Sequence, residues 1–304
     1  MKAFPPLNVT TSSLNLDIAS EPEPDSLIQN IETFWQGINL YFDFSIKVVD
    51  AGGICYNYIY FLGNNSFSFT TTSQFPGKTT AEVVAFMQPL YDDLNRIGIA
   101  LENPTNISPR PYGSFRQPAT TSPVNTRYRS RLYPRKNWED KALFNKTMAA
   151  IRQAVEAGYT YHGIPHGPSL EVAGRPGHES AVNPAWRVAA MHASLMTIQP
   201  VGLTAREARD EEQRIGQYAK LLRDVTPGSG AYINEADPGE PNWQQAFFGD
   251  NYQRLLAIKR NRDPWGLFWE RTGVGSERWE VMSADGYPNS QNGRLCMRTR
   301  STDN

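Results

Sequence analysis

Two neighbouring segments of the chain alternate their side chains with a period of two, and this limits the possible fold more than any other feature. The aromatic residues that share a face within these segments are Tyr56, Tyr58 and Tyr60, then Phe67 and Phe69. The residues Gly63-Asn64-Asn65 stand between the segments. A period of two is typical of β-strands, and Gly and Asn are common in tight turns. The pattern therefore predicts a β-hairpin.

Helical periodicity lies on both sides of this hairpin. Apolar residues three and four positions apart predict a helix over 26–41. Thr79 and Glu82 form a capping box that opens a second helix, which ends before Gly98. Helices on both sides of a hairpin favour an α+β fold, in which helices cover a mainly antiparallel sheet.

The middle of the chain repeats this scheme after an irregular stretch. Residues 103–137 are rich in Pro, Arg, Ser and Thr without periodicity, which predicts a long surface loop. A helix capped by Thr204 and Glu207 closes the second unit. The other elements predicted in this unit are a helix near 138–156 and strands near 159–165 and 188–198.

The C-terminal part carries clear stop and start signals. A short strand is predicted over 231–235, and Asn242 is expected to cap a helix with Gln245 at the capping-box position. Asp263-Pro264 ends that helix, because proline disfavours the helical conformation of the residue before it. We divide the chain into a substrate-binding domain (1–229), a C-terminal segment (230–280) and a polar tail (281–304) whose last residues we expect to be disordered.

Composition excludes several classes of protein. Thirty basic and 31 acidic residues give a formal charge of -1, so no global field favours a nucleic-acid partner. No apolar run approaches the length of a membrane span, and a membrane partner is not expected. Two cysteines are too few for a disulfide-dense scaffold, and their pairing stays open.

Two signals bear on the compartment. Four glycosylation sequons begin at Asn8, Asn64, Asn106 and Asn145 and are typical of a secreted glycoprotein. The first residues lack a charged region followed by an apolar one, so the chain is expected to carry no secretory signal of its own. We therefore expect this chain to be part of a longer, secreted protein.

The C-terminal run from Tyr232 to Pro238 closely resembles the C-terminal signature of the berberine bridge enzyme-like FAD-linked oxidoreductases. Its sequence is Tyr-Ile-Asn-Glu-Ala-Asp-Pro, and it is followed by Trp243-Gln244, Phe247-Phe248-Gly249, Asn251-Tyr252 and Gly266-Leu267-Phe268-Trp269 in the same order. Upstream, Asn183-Pro184-Ala185-Trp186-Arg187 and Ser130-Arg131-Leu132 resemble segments of the fungal substrate-binding domain. The resemblance spans nearly the whole chain.

This resemblance implies an FAD cofactor held mainly by a separate N-terminal domain, which the chain is expected to lack and to meet in cis or in trans. It also implies oxidation of a small alcohol, sugar or secondary metabolite by hydride transfer to the flavin. Tyr232 matches the family tyrosine that takes the substrate proton, and the amide of Asn234 matches a hydrogen-bond donor to FAD. The isolated chain is therefore expected to be inactive.

Three further sets of residues are candidates on weaker grounds. His192, on the predicted strand 188–198, corresponds to a polar active-site position and could shuttle a proton near neutral pH. Tyr56, Tyr58 and Tyr60 are candidates to line a substrate pocket. His162 and His166 are four residues apart, but Gly163 and Pro165 argue against the helix that would bring both to one metal, so no metal site is expected.

Each of these residues also has a purely structural interpretation. Tyr232 could be a core tyrosine, Asn234 a turn residue, His192 a satisfied core histidine and the tyrosine stripe ordinary packing. Two other functions stay open as well: a flavin-independent binding or scaffold protein, and a cofactor-free cyclase that reuses the pocket. The sequence does not identify the substrate.

Overall fold

The computed structural model of the chain describes residues 8–102, 107–111, 126–174 and 180–298. The main strands and helices alternate in two successive units. The elements are β1 (Asn8–Ile18), α1 (Ile31–Asp50), β2 (Ile54–Gly63), β3 (Ser66–Pro76), α2 (Thr80–Arg96), β4 (Ile107–Pro111), β5 (Thr126–Pro134), α3 (Lys136–Glu139), α4 (Lys141–Glu156), β6 (Thr160–Pro165), α5 (Leu170–Ala173), β7 (Ala189–Ile198), α6 (Ala205–Asp224), α7 (Trp243–Phe248), α8 (Tyr252–Arg262), β8 (Trp279–Met282) and β9 (Arg294–Met297).

Seven strands form one antiparallel sheet in the order β4-β1-β3-β2-β6-β7-β5. Apart from β4 at one edge, the order is symmetric about the line between β2 and β6. On one side lies a strand-helix-strand-strand-helix unit (β1, α1, β2, β3, α2), and on the other side its counterpart (β5, α4, β6, β7, α6). The predicted α+β class and the repeated scheme are confirmed.

The helices cover one face of this sheet. Side chains from α1, α2, α4 and α6 form the main core with alternate residues of the strands, such as Cys55 and Ile59 of β2 and Tyr161 of β6. The residues between them in β2 and β6 point to the opposite side and are half-buried or exposed. We call this opposite side the open face, and its residues include Tyr56, Tyr58, Tyr60, His162, His192, Ser130 and Ser194.

The predicted hairpin and the predicted capping boxes of α2 and α6 are confirmed. Asn64 and Asn65 adopt left-handed φ values of 47° and 55°, as the tight turn between β2 and β3 requires. Thr79 with Glu82 and Thr204 with Glu207 form reciprocal caps of α2 and α6. Local chemistry fixes these features, which is why a sequence pattern finds them.

The prediction of a surface loop over 103–137 is wrong for part of this stretch. Residues 126–134 form β5, which pairs with β7 at the edge of the sheet. Its arginines point into the helical side, where Arg129 meets Glu212 and Asp237, and Arg131 meets Glu240. Buried ion pairs conceal the strand pattern, because polar residues occupy positions that an amphipathic strand gives to apolar ones.

The helix predicted over 26–41 runs over Ile31–Asp50, because the side chain of Asn30 accepts a hydrogen bond from Thr33 N and sets its start. β1 was not predicted. Residues 231–235 do not form a strand: Ile233–Glu235 is a turn of 3₁₀-helix. Asn242 is left-handed and makes no side-chain cap, so the predicted capping box there is wrong.

The C-terminal end contains a second, two-stranded sheet. β8 and β9 pair antiparallel across the expected polar tail. The last residues, predicted to be disordered, lie outside the described residues from 299 onward. Cys55 and Cys296 are both unpaired. No helix within the described residues is both long and apolar enough to cross a membrane.

Candidate active site on the open face of the sheet

A stack of aromatic rings crosses the centre of the open face. Tyr58 and His162 are direct partners on β2 and β6, and their rings stack at 4.2 Å and 4°. Tyr60 stacks on Tyr58 at 5.5 Å and 8°. Burial raises the pKa of Tyr58 and lowers the pKa of His162 to about 4, so both rings are uncharged at neutral pH.

His192 lies beside this stack on β7 and is 3% exposed. The ring of Trp186 stacks against it at 5.7 Å, and the ring of Tyr232 meets it edge-on at 5.2 Å. Burial, followed by the nearby His166 and His162, lowers the pKa of His192 to about 3. An imidazole with this pKa stays neutral at neutral pH, which does not favour the proton shuttle expected from the sequence.

Tyr232 and Asn234 meet, although not on a strand. The Nδ2 atom of Asn234 donates a hydrogen bond of 2.6 Å to the Tyr232 hydroxyl. The backbone of Tyr232 is held by Ser130 of β5, whose Oγ accepts from Tyr232 N at 2.9 Å and donates to Tyr232 O at 3.1 Å. The 3₁₀ turn after Tyr232 thus brings the two side chains together, as the predicted strand would have done by alternation.

Glu235, at the end of the same turn, is a site residue that the sequence analysis did not single out. Its Oε2 atom accepts a hydrogen bond from Ser194 Oγ and lies 3.4 Å from His192 Nε2. The negative charge of Glu235 also contributes to the raised pKa of Tyr58. An acidic residue directly after the Tyr-Ile-Asn run was the available signal for this role.

Buried ion pairs fix the chain just beyond this turn. Asp237 and Glu240 are 4% and 6% exposed, and they pair with Arg129 and Arg131 of β5. The guanidinium of Arg131 also donates to Thr226 Oγ1 and O at 3.1 Å each. Removing one partner of a buried pair costs about 3–5 kcal/mol, because it leaves the other charge buried and uncompensated, so each of these charges requires its partner.

Comparison with known proteins finds similarity to FAD-linked oxidoreductases. The family model "Berberine and berberine like" matches residues 231–275. The FAD-linked oxidoreductase patO of Aspergillus clavatus is 31% identical over 97% of this chain and 48% of its own length. The VAO-type flavoprotein oxidase VAO615 of Thermothelomyces thermophilus is 30% identical over 90% of this chain and 46% of its own length.

Solved structures agree on the fold. The VAO-type flavoprotein MtVAO615 from Myceliophthora thermophila superposes on 96% of this chain with a TM-score of 0.74 at 23% identity, over 50% of that protein. Berberine bridge enzyme from Eschscholzia californica superposes on 88% of it with a TM-score of 0.57 at 10% identity, over 55% of that protein.

The chain is similar to these FAD-linked oxidoreductases over 90–97% of its length, and its residues 231–275 match the berberine-like family model. It spans about half the length of the curated relatives it matches. The segment that matches the berberine-like model contains Tyr232, Asn234 and Glu235, so the turn over the open face lies within the matched residues.

The cavities of this berberine-like chain do not coincide with the turn. One cavity of about 880 Å³ lies beside Asp50, Arg135 and Val188, and another of about 580 Å³ lies beside Arg127, Arg271 and Tyr287. Neither is lined by Tyr232, His192 or Glu235. We place the site on the open face, because the hydrogen bonds, ring contacts and family match converge there.

The structure separates the remaining candidates. Tyr58 and Tyr60 belong to the aromatic stack, and Tyr56 lies on the same face at 39% exposure. Asn8, Asn64 and Asn145 are exposed, while Asn106 lies outside the described residues. His162, rejected as a metal ligand in the sequence analysis, is part of the aromatic stack.

Proposed function

We propose that this chain is the substrate-binding half of a secreted FAD-dependent oxidoreductase, with the open face turned toward the flavin and the substrate held between them. The observation that supports this most strongly is the convergence of Tyr232, Asn234, His192 and Glu235 on one face of the sheet, within the family-matched turn. The substrate class is a small alcohol, sugar or secondary metabolite.

The open face suits a planar polar cofactor. Its aromatic stack contains His162, whose buried Nε2 atom makes no hydrogen bond within the described part of the chain. A buried polar atom without a partner is costly, and a heteroaromatic ring with donors and acceptors can satisfy it. Asn234, which is exposed, is the residue of the turn that we assign to hold the cofactor.

FAD, when bound, would supply the hydride acceptor for the substrate. Tyr232, as a phenolate, would take the hydroxyl proton, and the amide of Asn234 would stabilise that phenolate through its 2.6 Å hydrogen bond. Tyr56, Tyr58 and Tyr60 provide apolar ring surface with polar tips, which suits a substrate that carries both ring carbon and hydroxyl groups.

The partner proposed for this half is an FAD-binding half of the family type. Trp265, Leu267 and Phe268 are 85%, 80% and 77% exposed, within the family-matched segment. Asp263 holds their loop rigid, since it accepts from Leu267 N at 2.8 Å and from Phe268 N at 3.0 Å. A rigid apolar loop of this kind is typical of a binding interface.

Reconstitution tests the proposed function. The chain would be co-expressed with the FAD-binding half of VAO615, and we expect flavin to co-purify with the complex and to be bleached by an oxidisable alcohol in the absence of oxygen. Tyr232→Phe should keep the flavin and lower the rate of bleaching roughly 10²–10⁴-fold, because proton transfer is lost. Tyr218→Phe, on α6 at the helical side of the sheet, is the matched control.

The opposite results have defined meanings. A complex that holds flavin but reacts equally fast with Tyr232→Phe would exclude Tyr232 as the base. A chain that never retains flavin with any family FAD-binding half, yet binds small molecules on its open face, would support the flavin-independent binding protein instead.

A further inference from the structure

Two serines face each other across the open face at the point where the 232–235 turn crosses it. Ser130 of β5 and Ser194 of β7 are direct cross-strand partners. They are 2% and 0% exposed. A buried hydroxyl needs a partner, and both serines find theirs in the turn and not in the sheet.

Ser130 holds the beginning of the turn. It accepts from the backbone N–H of Tyr232 and donates to the carbonyl of the same residue. Both polar backbone groups of Tyr232 are therefore satisfied by one side chain. This arrangement fixes the residue without restricting its phenol group.

Ser194 and His192 hold the end of the turn. Ser194 Oγ donates a hydrogen bond to Glu235 Oε2, and His192 Nε2 lies 3.4 Å from the same oxygen without hydrogen-bond geometry. A carboxylate only accepts hydrogen bonds, so a lone pair on Nε2 would be repelled at this position. A neutral His192 therefore carries its proton on Nε2.

We propose that Ser130, Ser194 and His192 are positioning residues that clamp both ends of the 232–235 turn, with Glu235 as the carboxylate through which the sheet holds it. The catalytic role of Tyr232 in this proposal rests on the proposed function, whereas the clamp itself does not. It assigns His192 an Nε2–H group that faces the carboxylate of Glu235, in place of proton transfer. The neutral state of the imidazole, which follows from its burial, agrees with this role.

The tautomer of His192 tests the clamp without any cofactor. The full chain would be labelled with ¹⁵N-histidine, and the shifts of the two ring nitrogens would be recorded at neutral pH. We expect the Nε2–H tautomer, and we expect Glu235→Leu to remove this preference. Ser68→Ala, a serine on β3 away from the turn, should leave it unchanged. An Nδ1–H tautomer or a charged ring in the parent chain would overturn the proposal.

Two substitutions of His192 separate positioning from proton transfer in the reconstituted complex. A glutamine can place its amide N–H near the position of Nε2, whereas a leucine cannot. We expect His192→Leu to lower kcat roughly 10–100-fold with little change in KM, since misplacement of a reacting group is costly. We expect His192→Gln to stay within a few-fold of the parent. Equal loss in both variants would overturn the clamp in favour of acid-base chemistry.

Thermal melts would check that all variants fold. Ser194→Ala provides a second test of the same clamp. It should lower kcat as His192→Leu does, while an unchanged kcat would contradict the proposal. If the parent complex holds no flavin, the proposed function fails, and the histidine tautomer still decides whether the clamp exists.

Discussion

At the scale of single residues, the buried histidines make the chain sensitive to acid. The pKa of His162 is lowered to about 4 and that of His192 to about 3 by burial, from an ordinary value of 6.5. The unfolded chain therefore binds more protons below pH 6.5 than the folded chain does. The stability that the two neutral histidines contribute is fully present above pH 6.5. It is lost as the pH falls toward their pKa values in the folded chain.

The expected result is a fall in the free energy of unfolding between pH 6.5 and 4 that His162→Gln makes shallower. One histidine contributes at most about 1.4 kcal/mol per pH unit. Urea unfolding of parent and variant across this window measures the difference, and carboxylate effects common to both cancel. If the free energies of unfolding of parent and variant fell equally with pH, the lowered pKa of His162 would be contradicted.

Asn64 is the residue at which we expect glycosylation when the chain is expressed behind a signal peptide. It lies at the exposed tip of the β2–β3 hairpin in a left-handed conformation. Endoglycosidase treatment should lower the mass of the parent more than that of Asn64→Gln. Identical mass changes for the two proteins would show that the sequon is not used.

At the scale of elements, the seam between the two units depends on one glycine. Gly163 of β6 faces Asn57 of β2, and a Cβ atom on Gly163 would lie 2.5 Å from Asn57 Oδ1. Asn57 is fully buried and has little room to move. We expect Gly163→Ala to destabilise the chain by about 1–3 kcal/mol through overpacking.

Gly216 provides the matched control for this prediction. It lies inside α6, and a Cβ atom there would meet nothing within 4 Å. Gly216→Ala should therefore stabilise the chain by about 0.5–1 kcal/mol. Denaturant midpoints measure both variants, and a neutral Gly163→Ala would mean that the seam accommodates a methyl group.

Among the elements, those determined by nearby residues were predicted from the sequence, and those that depend on distant contacts were not. The hairpin and the caps of α2 and α6 were predicted correctly, because each depends on residues a few positions apart. β5 was missed, because Arg129 and Arg131 are buried only through partners about 80 to 110 residues away. Tyr232 and Asn234 were predicted as site residues from their motif, whereas the contacts of Glu235 with Ser194 and His192 depend on tertiary structure.

At the scale of the whole molecule, the rigid apolar loop predicts how the chain behaves alone. Trp265 and Phe268 are held outward by the contacts of Asp263, and Lys259 adds a hydrogen bond to Phe268 O at 2.6 Å. We expect the isolated chain to bind a hydrophobic dye and to be poorly soluble. The double variant Trp265→Ser/Phe268→Ser should reduce dye binding and weaken capture of the FAD-binding half.

Val201→Ser is the control for this loop, because Val201 is 95% exposed and lies outside it. It should change neither dye binding nor capture. Dye fluorescence and co-purification measure the two effects. If the double variant captured the FAD-binding half as well as the parent does, the loop would not be the interface.

The symmetry of the sheet also bears on the ancestry of the chain. Only three residue pairs join β2 to β6, compared with ten between β1 and β3, so each unit keeps most of its pairing to itself. Such a plan is what duplication and fusion of a gene for one strand-helix-strand-strand-helix unit would produce. Ser130, Ser194 and His192 all come from the second copy. After such a duplication the first copy would be free of that positioning role, and its half of the open face could diverge in sequence.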